Sequence, residues 1–417
     1  MKAAALLCLL VAPAARAEAQ WTVHAHAKSQ SSLQHFPPAT FGADAIAPTP
    51  LDQTLDGRLN VAYRRGRIDV TLNGQLVLVA GDTVAAARRG TAGTDGAYLL
   101  GPPGLGDAGQ WLDLTARAWM GDRAELVARL DRASIGYTGD RLVLRLGRQA
   151  LSWGNGAVFQ VLDLFNPFPP SVLDTDYKPG RDMLTAQWRL PGGDLQAIAV
   201  PGRSQAGGAL AADESSVAAK WHHTAGSVDV DALAARHDGD AVVGAGASAG
   251  LAGGVWRIDL SHTRVNAHGA TSLVANVDRA WSPGGRTLYA FAEYFRNGFG
   301  LAEGGGRVPV LDLALLPRLQ RGELFSLGRH ELAAGVRFDW TPLVTVSPTA
   351  LVNLTDGSVY ALAQVQYDWR QNLTLHAGVQ AGLGPRGSEY GGIAIPGVVA
   401  GDLAPGIRVW LRLARYF

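Results

Sequence analysis

The sequence has a single cysteine, Cys8, and few charged residues for its length. Charged residues make up 18% of the 417 positions, whereas soluble domains carry about 25%. One cysteine excludes a scaffold held together by disulfides. The 37 Lys and Arg nearly balance the 36 Asp and Glu, which disfavours a nucleic-acid partner because such binding needs excess positive charge. Hydrophobic residues reach 47%, and this content excludes intrinsic disorder.

The first residues have the features of a secretory signal peptide. Lys2 supplies a positive charge, residues 3–15 form a short apolar run, and Ala15, Ala17 and Ala19 are small residues at cleavage spacing. The run is shorter than the roughly 20 residues that a helix needs to span a bilayer. The sequence therefore predicts a signal peptide over residues 1–19, cleaved after Ala17 or Ala19. Cys8 is removed with it, so the mature chain would contain no cysteine.

Most of the remaining chain alternates apolar and polar side chains with a period of two. Within residues 331–340, Leu332 and Val336 share one parity, whereas Arg337 and Asp339 share the other. Such alternation is typical of β-strands with one apolar and one polar face. About eighteen segments of about ten residues show this pattern, separated by Gly, Pro, Asp and Asn.

The fold class predicted from these segments is all-β: a transmembrane antiparallel up-and-down β-barrel of about 16–18 strands over residues 57–417. Residues 28–56 show no clear strand pattern, and we expect residues 20–56 to be an N-terminal periplasmic segment or a partial plug. A soluble β-sandwich would alternate in the same way, so the membrane assignment needs further support. Long connections such as 152–180 and 298–327 alternate with tight turns, as in barrels with long extracellular loops. The long connection 81–109 breaks this rule.

Aromatic residues near the ends of the segments favour a membrane, because amphipathic rings lie at lipid–water interfaces. Tryptophans buried in a soluble sandwich would lie in the middle of strands more often. The residues assigned to the interface are Trp119, Tyr137, Trp188, Trp281, Trp340, Trp369 and Tyr416.

The chain ends on Phe417, and Leu413, Leu411 and Val409 share its parity. This ending resembles the C-terminal strand of Gram-negative outer-membrane barrels, although Arg415 stands where that family has an apolar residue. The resemblance implies that Phe417 is an insertion signal for the barrel-assembly machinery and that outer-membrane lipid surrounds the barrel. The predicted location is therefore the outer membrane of a Gram-negative bacterium.

A barrel of this size is too wide for side chains to fill, so it encloses a lumen. The stretch 139–180 resembles general diffusion porins in its tight turn, its strand and the Gly-Arg-Gln that ends the strand. Its Ser152-Trp153-Gly154 continuation is similar to that of poorly characterised proteobacterial outer-membrane barrels. The resemblance implies that Arg148 lies on a basic wall and that loop 152–180 narrows the lumen. Alternatively, the loop lies on the outer surface with its acidic residues in solvent.

Alternation and the loop together define the candidate pore-lining residues. Both signs of charge occur, which predicts a hydrated lumen and an electric field across any constriction. The arginines assigned to the lumen are Arg117, Arg129, Arg141, Arg145, Arg148, Arg337, Arg408 and Arg412, and the acidic loop residues are Asp163, Asp174 and Asp176.

The predicted function is passive diffusion of small hydrophilic solutes through a porin-like channel. The alternative is a non-conducting receptor, or a structural barrel that holds a partner protein. We expect no enzyme, catalytic residue, cofactor or metal. His222-His223 lacks further ligands at a suitable spacing, and the Gly-x-Ser-x-Gly match at residues 246–250 lacks a following helix. The identity of the solute and assembly into a homo-oligomer stay open.

Overall fold

The computed structural model describes residues 19–89, 105–204, 208–265, 268–302, 314–394 and 401–417. The signal peptide predicted for residues 1–19 falls outside this part of the chain, apart from its last residue.

Strands dominate the described residues. They are β1 Gln20–His35, β2 Leu51–Arg65, β3 Ile68–Gly81, β4 Thr115–Met120, β5 Ala124–Thr138, β6 Leu142–Gln149, β7 Arg181–Leu190, β8 Gly193–Val200, β9 Ser216–Ala225, β10 Val228–His237, β11 Asp240–Leu251, β12 Gly254–Val265, β13 His268–Trp281, β14 Leu288–Arg296, β15 His330–Thr341, β16 Val344–Asn353, β17 Val359–Arg370, β18 Leu373–Leu383, β19 Ile393–Ala394, β20 Asp402–Leu403 and β21 Ile407–Tyr416. The α-helices are α1 Phe41–Ala45, α2 Asp82–Arg89 and α3 Leu315–Gln320, and Pro283–Gly285 forms a 3₁₀ turn. No helix in the described ranges is long and apolar enough to cross a membrane.

Eighteen of these strands form a closed antiparallel barrel. Closure occurs because β1 pairs with β2 on one side and with the last strand, β21, on the other. The remaining neighbours are antiparallel too, including β3 with β5 and β18 with β21. A closed ring leaves no strand edge whose N–H and C=O groups would face lipid unpaired. The predicted all-β up-and-down barrel is confirmed.

The barrel begins earlier in the chain than the sequence indicates. The expectation of no strand in residues 28–56, and of a periplasmic segment or plug over residues 20–56, is wrong, because β1 and the start of β2 lie there and belong to the barrel. The face of β1 that carries the exposed Val23 and Leu33 also carries Ala27, Ser29 and Ser31. These small residues give little hydropathy contrast with the inner face, so the alternation is weak.

The connections differ between the two ends of the barrel. At one end, the strands are joined by short turns at residues 66–67, 139–141, 191–192, 226–227, 252–253, 282–287, 342–343 and 371–372. The other end carries the long connections, among them 36–50, 82–114, 150–180, 201–215 and 384–406. With β1 in place, the stretch 81–109 falls at this second end and no longer breaks the rule. Short turns mark the periplasmic end of such barrels, and long loops mark the extracellular end.

A loop segment completes the wall above β6 and β7. These strands have 8 and 10 residues, against 15 in β5, so they do not reach the extracellular end. The gap is covered by residues 107–120, here named the wall segment. Its β4 part pairs with the upper half of β5, and its Leu112 N–H donates to Asp182 of β7 at 2.6 Å.

The outer surface is apolar around the ring. Leu55, Leu76, Leu184, Val243 and Leu411 come from strands spread over the whole barrel, and all are exposed. An apolar belt of this extent would be costly in water and is the normal outer surface of a barrel in lipid.

Most of the predicted interface aromatics form a girdle at the periplasmic end. Tyr137, Trp188, Trp281, Trp340 and Trp369 all lie in the last residues of strands that run into short turns. Trp119 lies at the opposite end, beside the β4–β5 hairpin.

Tyr416 does not belong to this girdle, so its assignment to the interface is corrected. Its parity is that of the inward-facing Arg412, and its hydroxyl donates to Asp176 Oδ2 inside the barrel at 2.7 Å.

The seam between β1 and β21 can be tested with a disulfide. Ser29 and Leu413 are Cα partners across it, and such partners lie about 4.5–5.5 Å apart, within disulfide range. We expect Ser29→Cys with Leu413→Cys to form an intramolecular disulfide, seen as a reductant-sensitive shift of the unfolded chain in electrophoresis. Ser29→Cys with Leu411→Cys, which is two residues out of register, should cross-link poorly. Equal cross-linking of both pairs would contradict the register.

Candidate functional site: the lumen and the loop inside it

Residues 150–180, named the lumen loop, run from β6 to β7 through the interior of the barrel. The first half of the loop contacts β8, β12 and β14. The second half contacts β18, β21, β1 and β2. A loop on the outer surface could not reach the inner faces of strands on opposite sides of the ring. The lumen loop therefore lies inside the barrel, and the alternative of an outer loop is excluded.

Two wall residues hold the start of the lumen loop. The Trp153 indole N–H donates to Gln196 Oε1 of β8 at 2.8 Å. Asn155 donates its backbone N–H and its side-chain amide to Asp259 of β12, at 2.5 and 2.8 Å. Trp153 and Asp259 are both buried, so these polar groups are satisfied away from bulk water.

Glu293 on β14 is the strongest anchor of this half. Its carboxylate accepts the backbone N–H groups of Ala157, Val158 and Phe159 at 2.5, 2.9 and 2.7 Å. The Asn276 amide donates to the same carboxylate at 3.0 Å. Hydrogen bonds to a charged acceptor are the stronger kind, and 1% exposure of Glu293 shields them from solvent. The fully buried carboxylate therefore fixes three consecutive residues of the loop.

Apolar packing fills the space around this anchor. The Phe159 ring stacks on Phe295 of β14, with the centroids 4.6 Å apart. Leu162 lies against Gly244 and Gly246 of β11, and a Cβ at Gly244 would come within 2.5 Å of it. The first half of the lumen loop thus occupies the part of the lumen next to β8–β14.

Ion pairs hold the second half of the lumen loop. Lys28 of β1 donates to Asp174 and Asp176 at 2.6 and 2.7 Å, and Arg412 of β21 lies 3.4 Å from Asp174. Burial of Asp176 favours its neutral form, but the hydrogen bonds from Lys28 and Tyr416 outweigh burial and hold its pKa below the usual value. The predicted Asp174 and Asp176 therefore both pair with Lys28, and the predicted Arg412 lies next to Asp174.

Tyr177 follows this ionic contact and lies over another cation. The Arg58 guanidinium is 4.0 Å from the ring centroid, within range of a cation–π interaction. Arg58 also donates to Asp131 of β5 at 2.5 Å. Asp131 in turn accepts the Gly180 N–H at the end of the loop, at 3.2 Å.

A buried ion pair ties the two halves of the lumen loop together. Lys178 donates to Asp163, to the Leu151 carbonyl and to the Ser152 hydroxyl. Burial raises the pKa of Asp163 and lowers the pKa of Lys178, because burial disfavours both charged forms. Asp163 is thus a structural partner of Lys178 and lies apart from Asp174 and Asp176.

Arg148 is enclosed, so its expected place on a basic lumen wall is corrected. Its guanidinium is bonded to Asp182 of β7, to Asp107 and to the Leu112 carbonyl of the wall segment, and the residue is 3% exposed. Its parity is that of the outward-facing Leu146. The wall segment covers it, so Arg148 joins wall elements rather than facing the lumen water.

The other predicted arginines are spread along the barrel. Arg129 donates to Gln75, Arg408 to Gln34 and Arg145 to Asp69. Arg141 lies at the periplasmic turn before β6, and Arg117 and Arg337 are exposed. Only Arg412 is brought to the acidic part of the lumen loop.

Sequence reasoning missed the main contacts of the loop. Lys28 lies in residues 28–56, for which the sequence predicts no strand, and Arg58 lies just after them. Asp259 and Glu293 are single acidic residues on inward positions, and parity is the only signal for them. Asp131 lies at a β-bulge, where the alternation of β5 breaks. Nothing in the sequence indicates that the lumen loop crosses to them.

A second ionic cluster joins loops at the extracellular mouth. His237 Nε2 lies 3.1 Å from Glu323, and Arg321 lies 2.5 Å from Glu323 and 3.0 Å from Asp238. Burial of Glu323 favours its neutral form, but His237 and Arg321 outweigh burial and hold its pKa well below the usual value. His237, Asp238 and Glu323 are the group of potential metal ligands found in the described ranges. Arg321 already supplies the cation there.

No family model and no curated protein matches the chain. Solved structures of outer-membrane porins match its fold. OccAB4 of Acinetobacter baumannii is 9% identical with a TM-score of 0.53, over 96% of this chain and 99% of that one. Pseudomonas aeruginosa OccK2 (OpdF), solved with glucuronate, is 10% identical with a TM-score of 0.52, over 95% and 98%.

A BenF-like porin from Pseudomonas fluorescens Pf-5 is 9% identical with a TM-score of 0.53, over 95% of this chain and 98% of that one. At such low identity these likenesses concern the fold alone. The fold is that of porin-type barrels of Gram-negative outer membranes, which agrees with the lipid-facing belt.

The role of Glu293 as the anchor of the loop is testable. Glu293→Gln removes the charge and turns an amide N–H₂ toward backbone donors, so the free energy of unfolding should fall by about 2–4 kcal/mol. Unfolding by guanidinium in detergent measures this change. Glu125→Gln, which alters a part-exposed pair with Arg88, is the matched control and should cost about 1 kcal/mol or less. Similar losses in both variants would contradict the anchor.

The contact of Asp176 with Lys28 predicts a pH dependence. A lowered pKa in the folded state stabilises the fold above the ordinary carboxyl pKa, near about 4, and this contribution is lost as the pH falls through the lowered pKa. The stability difference between wild type and Asp176→Asn should therefore stay constant from pH 7 to about 4 and shrink below. Thermal unfolding in detergent measures it. A difference that grows on acidification would refute the assignment.

Proposed function

We propose that the protein is an outer-membrane channel through which small hydrophilic solutes diffuse passively. The observation that carries this proposal is the position of the lumen loop, which is fixed at many points inside a barrel too wide for side chains to fill. A loop held in this way narrows an aqueous passage without needing to move. The proposal involves no catalytic step and no cofactor.

We place the narrowest part of the passage where the second half of the lumen loop faces the seam between β1 and β21. Carboxylates of the loop, Asp174 and Asp176, pair with cations of the wall, Lys28 and Arg412. Each pair creates an electric field directed from the cation of the wall to the carboxylate of the loop, and several such fields side by side would orient polar solutes. The glucuronate bound to OccK2 is a small hydrophilic solute of the class proposed here.

The position of the terminal strand and of Phe417 is compatible with insertion into the outer membrane by the assembly machinery. Phe417 exchanges backbone hydrogen bonds with Ala25 of β1 and its side chain is exposed at the periplasmic end. We propose that the barrel-assembly machinery binds this terminal strand before β1 pairs with it.

A second candidate function is a non-conducting barrel that holds a partner protein. The packing of Trp153, Phe159, Leu162 and Phe165 against β8–β14 favours it, because these side chains fill part of the lumen. Reconstitution in planar bilayers separates the two candidates. Stepwise ohmic conductance supports the channel, and electrical silence of correctly folded barrels supports the non-conducting barrel.

Ion selectivity tests the proposed narrow part of the passage at Asp174 and Asp176. Asp174→Asn with Asp176→Asn leaves Lys28 and Arg412 without their carboxylate partners, so the cation-to-anion permeability ratio should shift toward anions by about two- to tenfold. Reversal potentials in a salt gradient measure the ratio. Asp140→Asn, at an exposed periplasmic turn, is the matched control and should change it little. An unchanged ratio in the double variant would remove the constriction but leave the channel.

A further inference from the structure

Three arginines lie on the lipid-facing side of the barrel at its extracellular end. Arg236 and Arg264 are the second-last residues of β10 and β12, and Arg296 is the last residue of β14. Each of these strands starts at a periplasmic turn, so its last residues lie at the opposite end. Arg264 shares its parity with the exposed Ile258 and Leu260 of the apolar belt and therefore faces away from the lumen. We name Arg236, Arg264 and Arg296 the basic rim.

Arg236 and Arg264 flank one small residue on the outer face. Ala241 of β11 is the Cα partner of both arginines, and residues directly opposite each other on neighbouring strands share a face. The Cα atoms of the two arginines are therefore two strand spacings apart, about 10 Å. Both arginines are exposed, and the short side chain of Ala241 leaves the space between them open to a ligand.

Arg296 extends the basic rim along β13. Its Cα partner is Leu273, which is also the partner of the lipid-facing Leu260. The Arg296 guanidinium donates to the Thr271 carbonyl, nearer to the extracellular end. His262 of β12, the Cα partner of Thr271, lies on the same face and is exposed. The basic rim thus runs from β10 to β14, with a histidine between its second and third arginines.

The basic rim has no acidic partner among the residues that the structure describes, since no ion pair involves any of its three guanidiniums. Asp238 and Asp240, at the β10–β11 turn, are bound to Arg321 and Arg318 of the mouth instead. Asp213 lies in the loop before β9 and forms no ion pair with the rim either. Neighbouring cations without counter-ions repel one another, so this surface favours an anionic ligand.

The basic rim lies at the level expected for the outer lipid–water boundary. Tyr294, two residues before Arg296 on the same face, has its hydroxyl 2.7 Å from His330 Nδ1. Amphipathic rings of this kind lie at the membrane interface. An arginine on the lipid side costs little free energy at this level, whereas it is costly at the bilayer midplane.

The basic rim is confined to one sector of the barrel. On the same face, the extracellular ends of β16, β17, β18 and β21 carry apolar residues, namely Val352, Val359, Leu383 and Ile407. A local cluster of basic residues at one level of the membrane is typical of a binding site for the headgroup of an anionic lipid.

We propose that the basic rim binds the phosphate groups of the phosphorylated glycolipid of the outer leaflet, lipid A. Guanidinium groups bind phosphate oxygens through paired, charge-assisted hydrogen bonds. The acyl chains of the lipid then lie along the apolar belt below the rim, over the exposed Val243 and Leu260. This inference concerns the outer surface and does not depend on whether the lumen conducts.

Native mass spectrometry of the full barrel in detergent tests the site. The probe is lipid A, and dephosphorylated lipid A carries the same acyl chains without the anions. Wild type should bind the phosphorylated form about tenfold or more tightly, because one basic residue near an anionic lipid surface contributes roughly fivefold to binding. Arg236→Gln with Arg264→Gln should weaken the binding of lipid A by about tenfold or more. Arg236→Lys with Arg264→Lys keeps the charge and should retain more affinity than the Gln variant.

The matched control is Arg370→Gln with Arg415→Gln. Both residues are exposed and are Cα partners of Leu373 on the outer face, at the periplasmic end. This variant should leave the affinity for lipid A unchanged. All variants are first checked for folding by heat-dependent electrophoretic migration.

Four outcomes overturn the proposal. Equal losses in the two Gln variants would place the binding away from the basic rim. Equal binding of lipid A and its dephosphorylated form by folded wild type would show that phosphate plays no part. Phosphatidylglycerol that binds as tightly as lipid A would show a site for any anionic lipid, and inorganic phosphate that competes at equal concentration would show a site for a free anion.

Discussion

A strand edge inside a bilayer has no water to bond with, and the pairing of β1 with β21 removes the last such edge. The whole architecture depends on this seam. It sets the number of strands in the ring, and that number sets a diameter that side chains cannot fill. The resulting space has to be occupied or left as an aqueous passage, and the lumen loop divides it.

The lumen loop is attached to the wall with opposite polarities in its two halves. In the first half, backbone N–H groups of the loop bind carboxylates of the wall, Asp259 and Glu293. In the second half, carboxylates of the loop bind Lys28 and Arg412 of the wall. Because each of these charged groups has a partner, the loop gains rigidity without leaving one of them isolated in a poorly solvated place.

The sequence predicts the structure best where a pattern of apolar and polar residues repeats along the chain. Alternation predicted the barrel and nearly all its strands, because a two-sided strand between lipid and water imposes period two on every residue. It failed at β1, where Ala27, Ser29 and Ser31 replace large apolar residues on the lipid side. It also misplaced Tyr416, since proximity to a strand end does not determine which face a ring takes.

The lumen was harder to predict than the wall. The sequence is compatible with a loop 152–180 inside the barrel and with one on the outer surface. It does not distinguish them, because the contacts of the loop join residues far apart in the chain. Arg148 shows the reason most clearly: its partner Asp182 is across a strand pair, but Asp107 and Leu112 come from a different part of the chain, and alternation does not tell which strand they cover.

The wall segment makes one sector of the cylinder mechanically different from the rest. Elsewhere, continuous ladders of main-chain hydrogen bonds link neighbouring strands. Above β6 and β7 the wall segment pairs with β5 through β4, whereas its contact with β7 runs through Asp182, which binds the Leu112 N–H and the Arg148 guanidinium. Under mechanical tension, heat or extreme acidity, we expect this sector to unfold first. The barrel wall should then open there before the pairing of β1 with β21 is lost.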